Sequence, residues 1–302
     1  TTKTLNDYFY DGGAKATYKP LKLTLGVSYR NVGYNFNSPM AQTRRIASPS
    51  DVTLSSFPKL NNGITPRSIS LYDFYSQESR LYNQAISPTL MNYYNYIQYT
   101  IVEPYGKATP NRKGFTFSAD LEESEKKVFS ASFEANLLSE VVSEGDSLTL
   151  QKRKFNLMRG GFVFNLSNLI GFEKLIAISS GIRTESSKRS GTNAVSLSNM
   201  LLDVGLDIEV MKDLHLLGGA KYFTVKGNEY SSERNAMNQI IGFGTGNTFN
   251  QTQRIIAPGL RYDYGTSGYF SMQYHIIKVD NKDDTKTNYT MNQWFFVFGL
   301  KF

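Results

Sequence analysis

Two histidines, His215 and His275, are the side chains of this chain best suited to proton transfer near neutral pH, and the sequence contains no cysteine. Nucleophilic catalysis would require a hydroxyl within hydrogen-bond reach of one of them. Ser271 shares a predicted strand with His275, but four residues of extended chain separate the two by about 13 Å. A partner on a neighbouring strand stays open. The sequence therefore predicts no enzymatic activity, no bound cofactor and no metal site.

Acidic and basic side chains recur at alternate positions of the predicted strands, on the face opposite the apolar residues. The two signs nearly balance, whereas a selective pore usually lines its wall with one dominant sign. We therefore predict that these charges pair with one another and fill the space that they face. The alternative is a wide aqueous channel in which each charge is solvated. The predicted network comprises Lys22, Arg30, Asp120, Glu134, Arg159, Arg183, Asp203, Asp207, Glu209, Lys221, Arg261 and Asp263.

A third group of side chains lies in the long connection at about 31–112, which carries many tyrosines and no strong strand pattern. Tyrosine combines a large apolar surface with a polar hydroxyl, and it is enriched at binding surfaces. A connection of this length usually acts as a lid, a plug or a partner surface. We predict a partner surface or a plug, and the alternative is an ordered cap. The tyrosines are Tyr72, Tyr75, Tyr82, Tyr93, Tyr94, Tyr96, Tyr99 and Tyr105.

The elements that must position these side chains are β-strands. Leu21, Leu23, Leu25, Val27 and Tyr29 alternate with polar residues, and the same period of two recurs along the chain. The pattern predicts roughly eleven strands of about 9 to 14 residues, joined as antiparallel hairpins. There is no run of about 18 apolar residues, which a transmembrane helix would require.

Two all-β folds fit this pattern: a soluble sandwich and an antiparallel transmembrane β-barrel. Aromatic residues concentrate near the ends of the apolar faces, as the interfacial girdles of membrane barrels do. They include Tyr29, Phe129, Tyr262 and Trp294. We therefore predict that residues 1–302 form a transmembrane β-barrel, or the C-terminal part of a larger one.

The connections between the predicted strands indicate the orientation of this barrel. Short turns alternate with longer connections along the sequence, which is typical of barrels with short periplasmic turns and long extracellular loops. Pro258 interrupts one predicted strand, and since proline cannot donate to the ladder we predict a bulge there. The net charge is +7, but the basic residues are scattered, so nucleic acid is not an expected partner.

The chain ends in the sequence "NQWFFVFGLKF". This ending, with Phe298, Leu300 and Phe302, resembles the C-terminal signal of bacterial outer-membrane β-barrels. The resemblance implies recognition by the barrel-assembly machinery and insertion into a Gram-negative outer membrane among its lipids and lipopolysaccharide. The stretch "YRNVGYNFNSP" is similar to segments of large barrels from organisms that use type IX secretion.

The odd strand count has a topological implication, because single-chain bacterial barrels normally contain an even number of antiparallel strands. With an odd count the first and last strands run in the same direction, so we expect an upstream strand to be missing from this sequence. The expected function is that of a non-enzymatic subunit in an outer-membrane transport, secretion or protein-assembly complex, in contact with other outer-membrane or surface proteins. The alternative is a porin-like solute channel or the barrel portion of a TonB-dependent receptor.

Overall fold

The computed structural model describes residues 8–33, 36, 101–103, 106–122, 128–143, 151–191, 193–230, 232–234, 240–243, 246–265 and 268–300. Within these ranges the protein is all-β and antiparallel, as the sequence predicts. The one α-helix of the described residues is the short Leu166–Ile170. No helix in this part of the chain is long and apolar enough to cross a membrane.

Fourteen strands are present in the described residues. They are β1 Phe9–Tyr18, β2 Leu23–Val32, β3 Arg112–Glu122, β4 Phe129–Ser139, β5 Lys154–Asn165, β6 Ile176–Arg189, β7 Val195–Met211, β8 Leu214–Glu229, β9 Ser232–Arg234, β10 Ile240–Phe243, β11 Asn247–Ile256, β12 Gly259–Tyr264, β13 Gly268–Asn281 and β14 Tyr289–Leu300.

Twelve of these strands form one sheet, and β9 and β10 pair separately. Strands β1 to β8 pair in sequence order, while β11 and β12 both lie between β8 and β13, and β14 pairs with β13. Strands β11 and β12 lie end to end between β8 and β13, so the twelve strands occupy eleven positions across the sheet. Neighbouring positions are antiparallel. The edge strands β1 and β14, at the first and the eleventh position, therefore run in the same direction. No pairing between them occurs among the described residues.

Pro258, between β11 and β12, does not produce the predicted bulge. Ile256 faces Ala220 on β8 and Ile276 on β13, and Gly259 faces Leu217 and Gln273. Three residues therefore separate the pairs on all three strands, and no extra residue is inserted. The Pro258 carbonyl accepts a hydrogen bond from the backbone N–H of Tyr274 at 2.9 Å. The ladder loses only the bond that a proline nitrogen cannot donate, which explains why the register is kept.

The connections alternate in length less strictly than the sequence suggested. The turn between β7 and β8 is Lys212–Asp213, with Asp213 at φ 65°, and four residues, 19–22, connect β1 to β2. Between β5 and β6, however, residues 166–175 include the short helix, whereas only residues 190–194 join β6 to β7 at the opposite end. Strand β6 continues to Arg189, beyond the apolar stretch that marks it in the sequence, and this shortens the following connection.

The two faces of the sheet are reversed relative to a water-soluble protein. Outward-facing Leu25, Val27 and Tyr29 on β2 are exposed, and Phe296 and Phe298 on β14 are each 61% exposed. The opposite face carries buried polar side chains. They include Arg30, Glu185, Asp207, Gln273 and His275. Many side chains with a large desolvation cost are thus inside, and many large apolar side chains are outside.

Candidate functional site

The polar interior contains a piece of the long connection. Ile101, Val102 and Glu103, here called the inner segment, are each at most 3% exposed. The two apolar side chains pack into a buried cluster that four strands supply. Its other members are Leu138, Phe155, Leu157, Leu197, Phe223 and Val225.

The backbone of the inner segment is bound by the wall of the sheet. One carboxylate oxygen of Glu185, on β6, accepts hydrogen bonds from the N–H groups of Ile101 at 2.6 Å and Val102 at 2.9 Å. The Arg112 Nε donates to the carbonyl of Val102 at 3.2 Å, and its guanidinium lies 3.6 Å above the Phe155 ring. Hydrogen bonds to an ionised group are stronger than neutral ones. Glu185 and Arg112 therefore satisfy backbone groups whose burial would otherwise be costly.

Glu103 completes this attachment through its side chain. Its carboxylate forms an ion pair with Arg30 of β2 and accepts a hydrogen bond from the Asn136 Nδ2 of β4 at 2.8 Å. Arg30 and Glu103 are both almost fully buried. Removal of either partner would take away an opposite charge that this buried pair supplies, which is costly in a protein interior.

These contacts show that the sheet curves. In a flat sheet, β2 and β8 would lie about 29 Å apart, at about 4.8 Å per strand. The three-residue inner segment nevertheless contacts Arg30 of β2 and belongs to the same cluster as Phe223 and Val225 of β8. The wall from β2 to β8 therefore curves around the inner segment, with its polar face inside.

A second charged group joins the ends of the strands near the inner segment. The Arg153 Nη1 lies 2.7 Å from the Glu229 Oε1, and its Nη2 donates to the Tyr230 carbonyl at 2.6 Å. The Arg153 Nε lies 3.8 Å from the Glu140 carboxylate. Arg153 precedes β5, and Glu229 is the last residue of β8. The pair thus bridges strands that are not neighbours.

The middle of the interior also pairs charges of opposite sign. Arg159 and Glu134 face each other directly across β5 and β4, with an Nη2–Oε2 distance of 2.6 Å. The Arg183 Nε lies 3.3 Å from the Glu185 carboxylate. Asp203 and Lys221 are directly opposite in the register of β7 and β8.

Near the short turns, four titratable side chains from three strands form a compact group. His215 Nδ1 lies 2.7 Å from Asp207 Oδ1, and His215 Nε2 lies 3.3 Å from Asp263 Oδ2. Arg261 contacts Asp207 at 3.2 Å and Asp263 at 3.1 Å. One guanidinium and one imidazole thus lie between two carboxylates, and the Arg261 cation is close to both anions.

Three residues of the predicted network have other positions. Lys22 is exposed in the turn between β1 and β2. Its φ of 45° is in the left-handed region and not in the extended region of a strand. Asp120 is exposed on β3. Glu209 accepts hydrogen bonds from the backbone N–H groups of Leu175 at 3.2 Å and Asp213 at 3.4 Å, so it holds the ends of two connections together.

Several interior residues were missed by the sequence analysis. Glu103, Glu140 and Arg153 lie beyond strand ends, where a period of two gives no information about direction. Glu185 was assigned to a connection because the apolar outward positions of β6 stop at Ile182. The sequence did contain one indication that Glu140 and Arg153 lie close together. They have opposite charges and stand near the two ends of the connection between β4 and β5.

The other predicted residues concern the outer surface and the long connection. Phe298 lies on β14 opposite Phe270, and Leu300 lies opposite Gly268. Phe302 and the eight tyrosines of the long connection, from Tyr72 to Tyr105, are outside the described residues. Among the residues that the structure describes, no group of three or more histidine and acidic side chains could hold a metal ion.

No family model, no curated protein and no solved structure matches this chain.

Proposed function

We propose that this protein is an outer-membrane β-barrel with a filled interior, and that it serves as a non-enzymatic subunit of a transport, secretion or protein-assembly complex. One observation carries the membrane assignment: apolar side chains cover the outward face, while charged and amide side chains are buried. The outward positions of β13 and β14 show this most clearly. They are Phe270, Met272, Tyr274, Ile276, Trp294, Phe296 and Phe298.

Physical chemistry favours lipid as the surroundings of this face. Soluble monomers rarely expose contiguous apolar patches of more than a few hundred Å². A bilayer requires that backbone groups be paired within the sheet and that lipid-facing positions be apolar. The strands between the two edges of the sheet meet the first condition, and most outward positions in the middle of the sheet and toward the short turns meet the second. The aromatic ending of β14 and its resemblance to the terminal signal of outer-membrane barrels support the same compartment.

The contents of the interior favour a structural subunit over an open channel. Charges of both signs are paired there, and the inner segment occupies space that a solute would need. The long connection, which contributes the inner segment, is the element that we propose contacts partner proteins. A standard interface buries roughly 800 Å² per partner, and a connection of this size can supply such an area.

Membrane association is tested by fractionation of cells that express the protein. We expect it to remain in the membrane pellet after a carbonate wash, because an integral barrel is held by its lipid-facing strands. Recovery in the wash would contradict the membrane assignment. A peripheral membrane protein of the same cells, released by the same wash, is the control.

The role of the interior is tested with two deletions in the long connection. Removal of Ser70 to Asn95 keeps the inner segment, whereas removal of Ser70 to Tyr105 eliminates it. We expect near-zero single-channel conductance for the full chain and the shorter deletion, and a conductance increase for the longer one. Loss of co-purifying proteins in the shorter deletion would assign the partner surface to residues 70–95. Large conductance of the full chain would instead favour a solute channel.

A further inference from the structure

Charged residues on the outward face of the sheet occur at one end only. In the twelve-stranded sheet, as far as its residues are described, the outward charged residues are six basic and one acidic. All seven lie in the half of their strands nearer to the long connections when β11 and β12, which lie end to end between β8 and β13, are counted as one strand. They are Lys113, Lys154, Lys188, Lys226, Arg254, Lys278 and Asp280. Only Lys278 has an acidic neighbour among them, with its Nζ 3.5 Å from the Asp280 carboxylate.

Three of these lysines belong to a compact patch on β5 to β8. The patch consists of two consecutive rows of outward residues, and within each row the residues of neighbouring strands are register partners. The first row is Lys154, Lys188, Ser196 and Asn228, and the second is Asn156, Ser186, Ser198 and Lys226. We call these eight residues the donor patch, because every side chain can donate a hydrogen bond and none is acidic.

Lys154 and Lys188 concentrate positive charge at one edge of this patch. They are directly opposite in the register of β5 and β6, and both are exposed. Like charges in this arrangement destabilise a sheet unless an anion lies between them. Within the described part of the chain, Lys154, Lys188 and Lys226 form no ion pair with a carboxylate. The patch therefore has an uncompensated positive charge.

The surface next to the donor patch is mostly apolar. The adjoining row toward the short turns is Met158, Thr184, Met200 and Thr224, and the row after it is Gly160, Ile182, Leu202 and Tyr222. Met158, Ile182 and Leu202 are exposed on the same face as the lysines. A ligand with an anionic head and a hydrocarbon tail could contact both regions at once, whereas a free anion would contact only the lysines.

We propose that the donor patch binds the phosphate headgroup of an anionic lipid whose acyl chains lie along Met158, Ile182 and Leu202. This inference rests on the proposed membrane location. Lysine can extend its ammonium to the headgroup level while its methylene chain stays against apolar surface. Basic residues near an anionic lipid surface are attracted to it, and salt weakens that attraction. The patch thus marks the leaflet at the long-connection end as rich in phosphate-bearing lipid.

The test compares urea unfolding of the refolded protein in two kinds of vesicle. One contains phosphatidylcholine alone, and the other also contains phosphatidylglycerol. We expect the unfolding equilibrium constant to fall about fivefold per lysine in the anionic vesicles, the factor that corresponds to ~1 kcal/mol per basic residue. The variant K154Q/K188Q/K226Q should lose the part of this difference that its three lysines contribute. The variant K19Q/K22Q/K212Q, with the same charge change at the short-turn end, should keep it.

The possible failures are distinguishable. If the wild-type protein does not insert into either kind of vesicle, as judged by protease protection and heat-modifiable gel mobility, the proposed membrane location is wrong. If it inserts and the patch variant keeps the full anionic stabilisation, the lipid site is wrong while the barrel stands. If inorganic phosphate added to neutral vesicles produces the same stabilisation, the ligand is a free anion, and the lipid assignment is overturned.

Discussion

Arg30 and Glu103 provide the sharpest test of the interior at the level of single residues. Both are buried, so R30M leaves the Glu103 carboxylate without its cation. We expect the free energy of unfolding to fall by about 3–5 kcal/mol, the cost of a broken buried pair. Urea unfolding in vesicles measures it. The double variant R30M/E103M should recover most of the loss, because neither charge of the pair stays buried without the other. An equally unstable double variant would show that the pair itself stabilises the protein.

Glu185 tests the binding of the inner segment. In E185Q the acceptor of two backbone N–H groups is neutral, and Arg183 loses its nearby carboxylate. We expect a loss of about 2 kcal/mol in the free energy of unfolding, since each bond to a charged group is stronger than a neutral one by about 1 kcal/mol. The control is E122Q, at an exposed position at the end of β3. Equal effects of the two variants would contradict the anchoring role of Glu185.

At the level of elements, Gly227 permits the close approach of β8 to β7. Its φ is 122°, and an added Cβ would lie 1.8 Å from the Ser196 carbonyl oxygen. We expect G227A to lose about 3 kcal/mol through strain and separation of the two strands. Gly12 on β1 is the matched control, because an added Cβ would meet nothing within 4 Å. Thermal unfolding that affects G12A and G227A equally would argue against this explanation.

The final strand is the element whose function was inferred from resemblance. We expect F302S to reduce membrane assembly more than synthesis, because the terminal aromatic residue is the feature shared with outer-membrane barrels. Heat-modifiable mobility and surface level, compared with total protein, measure this. The control F296S removes an exposed aromatic side chain of β14 outside the terminal motif. Normal assembly of F302S would exclude a signal at this position.

The strands and their two faces were predictable because burial imposes a period of two on the sequence. The ends of the strands were not. Beyond Ile182, β6 carries Thr184, Ser186 and Lys188 on its outward face, so polar residues follow one another and the period disappears. The inner segment is only three residues long, and no repeating pattern indicates that Ile101 and Val102 are buried. Its attachment became apparent only from the contacts of Glu185 and Arg30.

At the level of the whole molecule, the parallel directions of β1 and β14 restrict how the sheet can close. An all-antiparallel closure would need an odd number of further strands between them, and the alternative is a parallel seam. The absence of cysteine allows a direct test by engineered disulfides. We expect A14C to form none with N292C, W294C or F296C, because inserted strands would hold the positions more than about 7 Å apart.

The control for this measurement is Y274C/W294C, since Tyr274 and Trp294 are directly opposite on β13 and β14. This pair should cross-link under the same oxidising conditions. Efficient cross-linking of A14C with one of the three β14 positions would establish a parallel seam and an odd-stranded barrel.

The place of the inner segment in the chain affects how freely this protein can diverge over evolutionary time. Only eight residues separate Glu103 from Arg112, the first residue of β3. The conformational entropy lost when the inner segment docks therefore depends on the length of this eight-residue connection. It does not depend on the 68 residues between Val32 and Ile101. Each doubling of a flexible loop costs only about 0.6 kcal/mol. Insertions and deletions there can change the proposed partner surface while the inner segment stays docked.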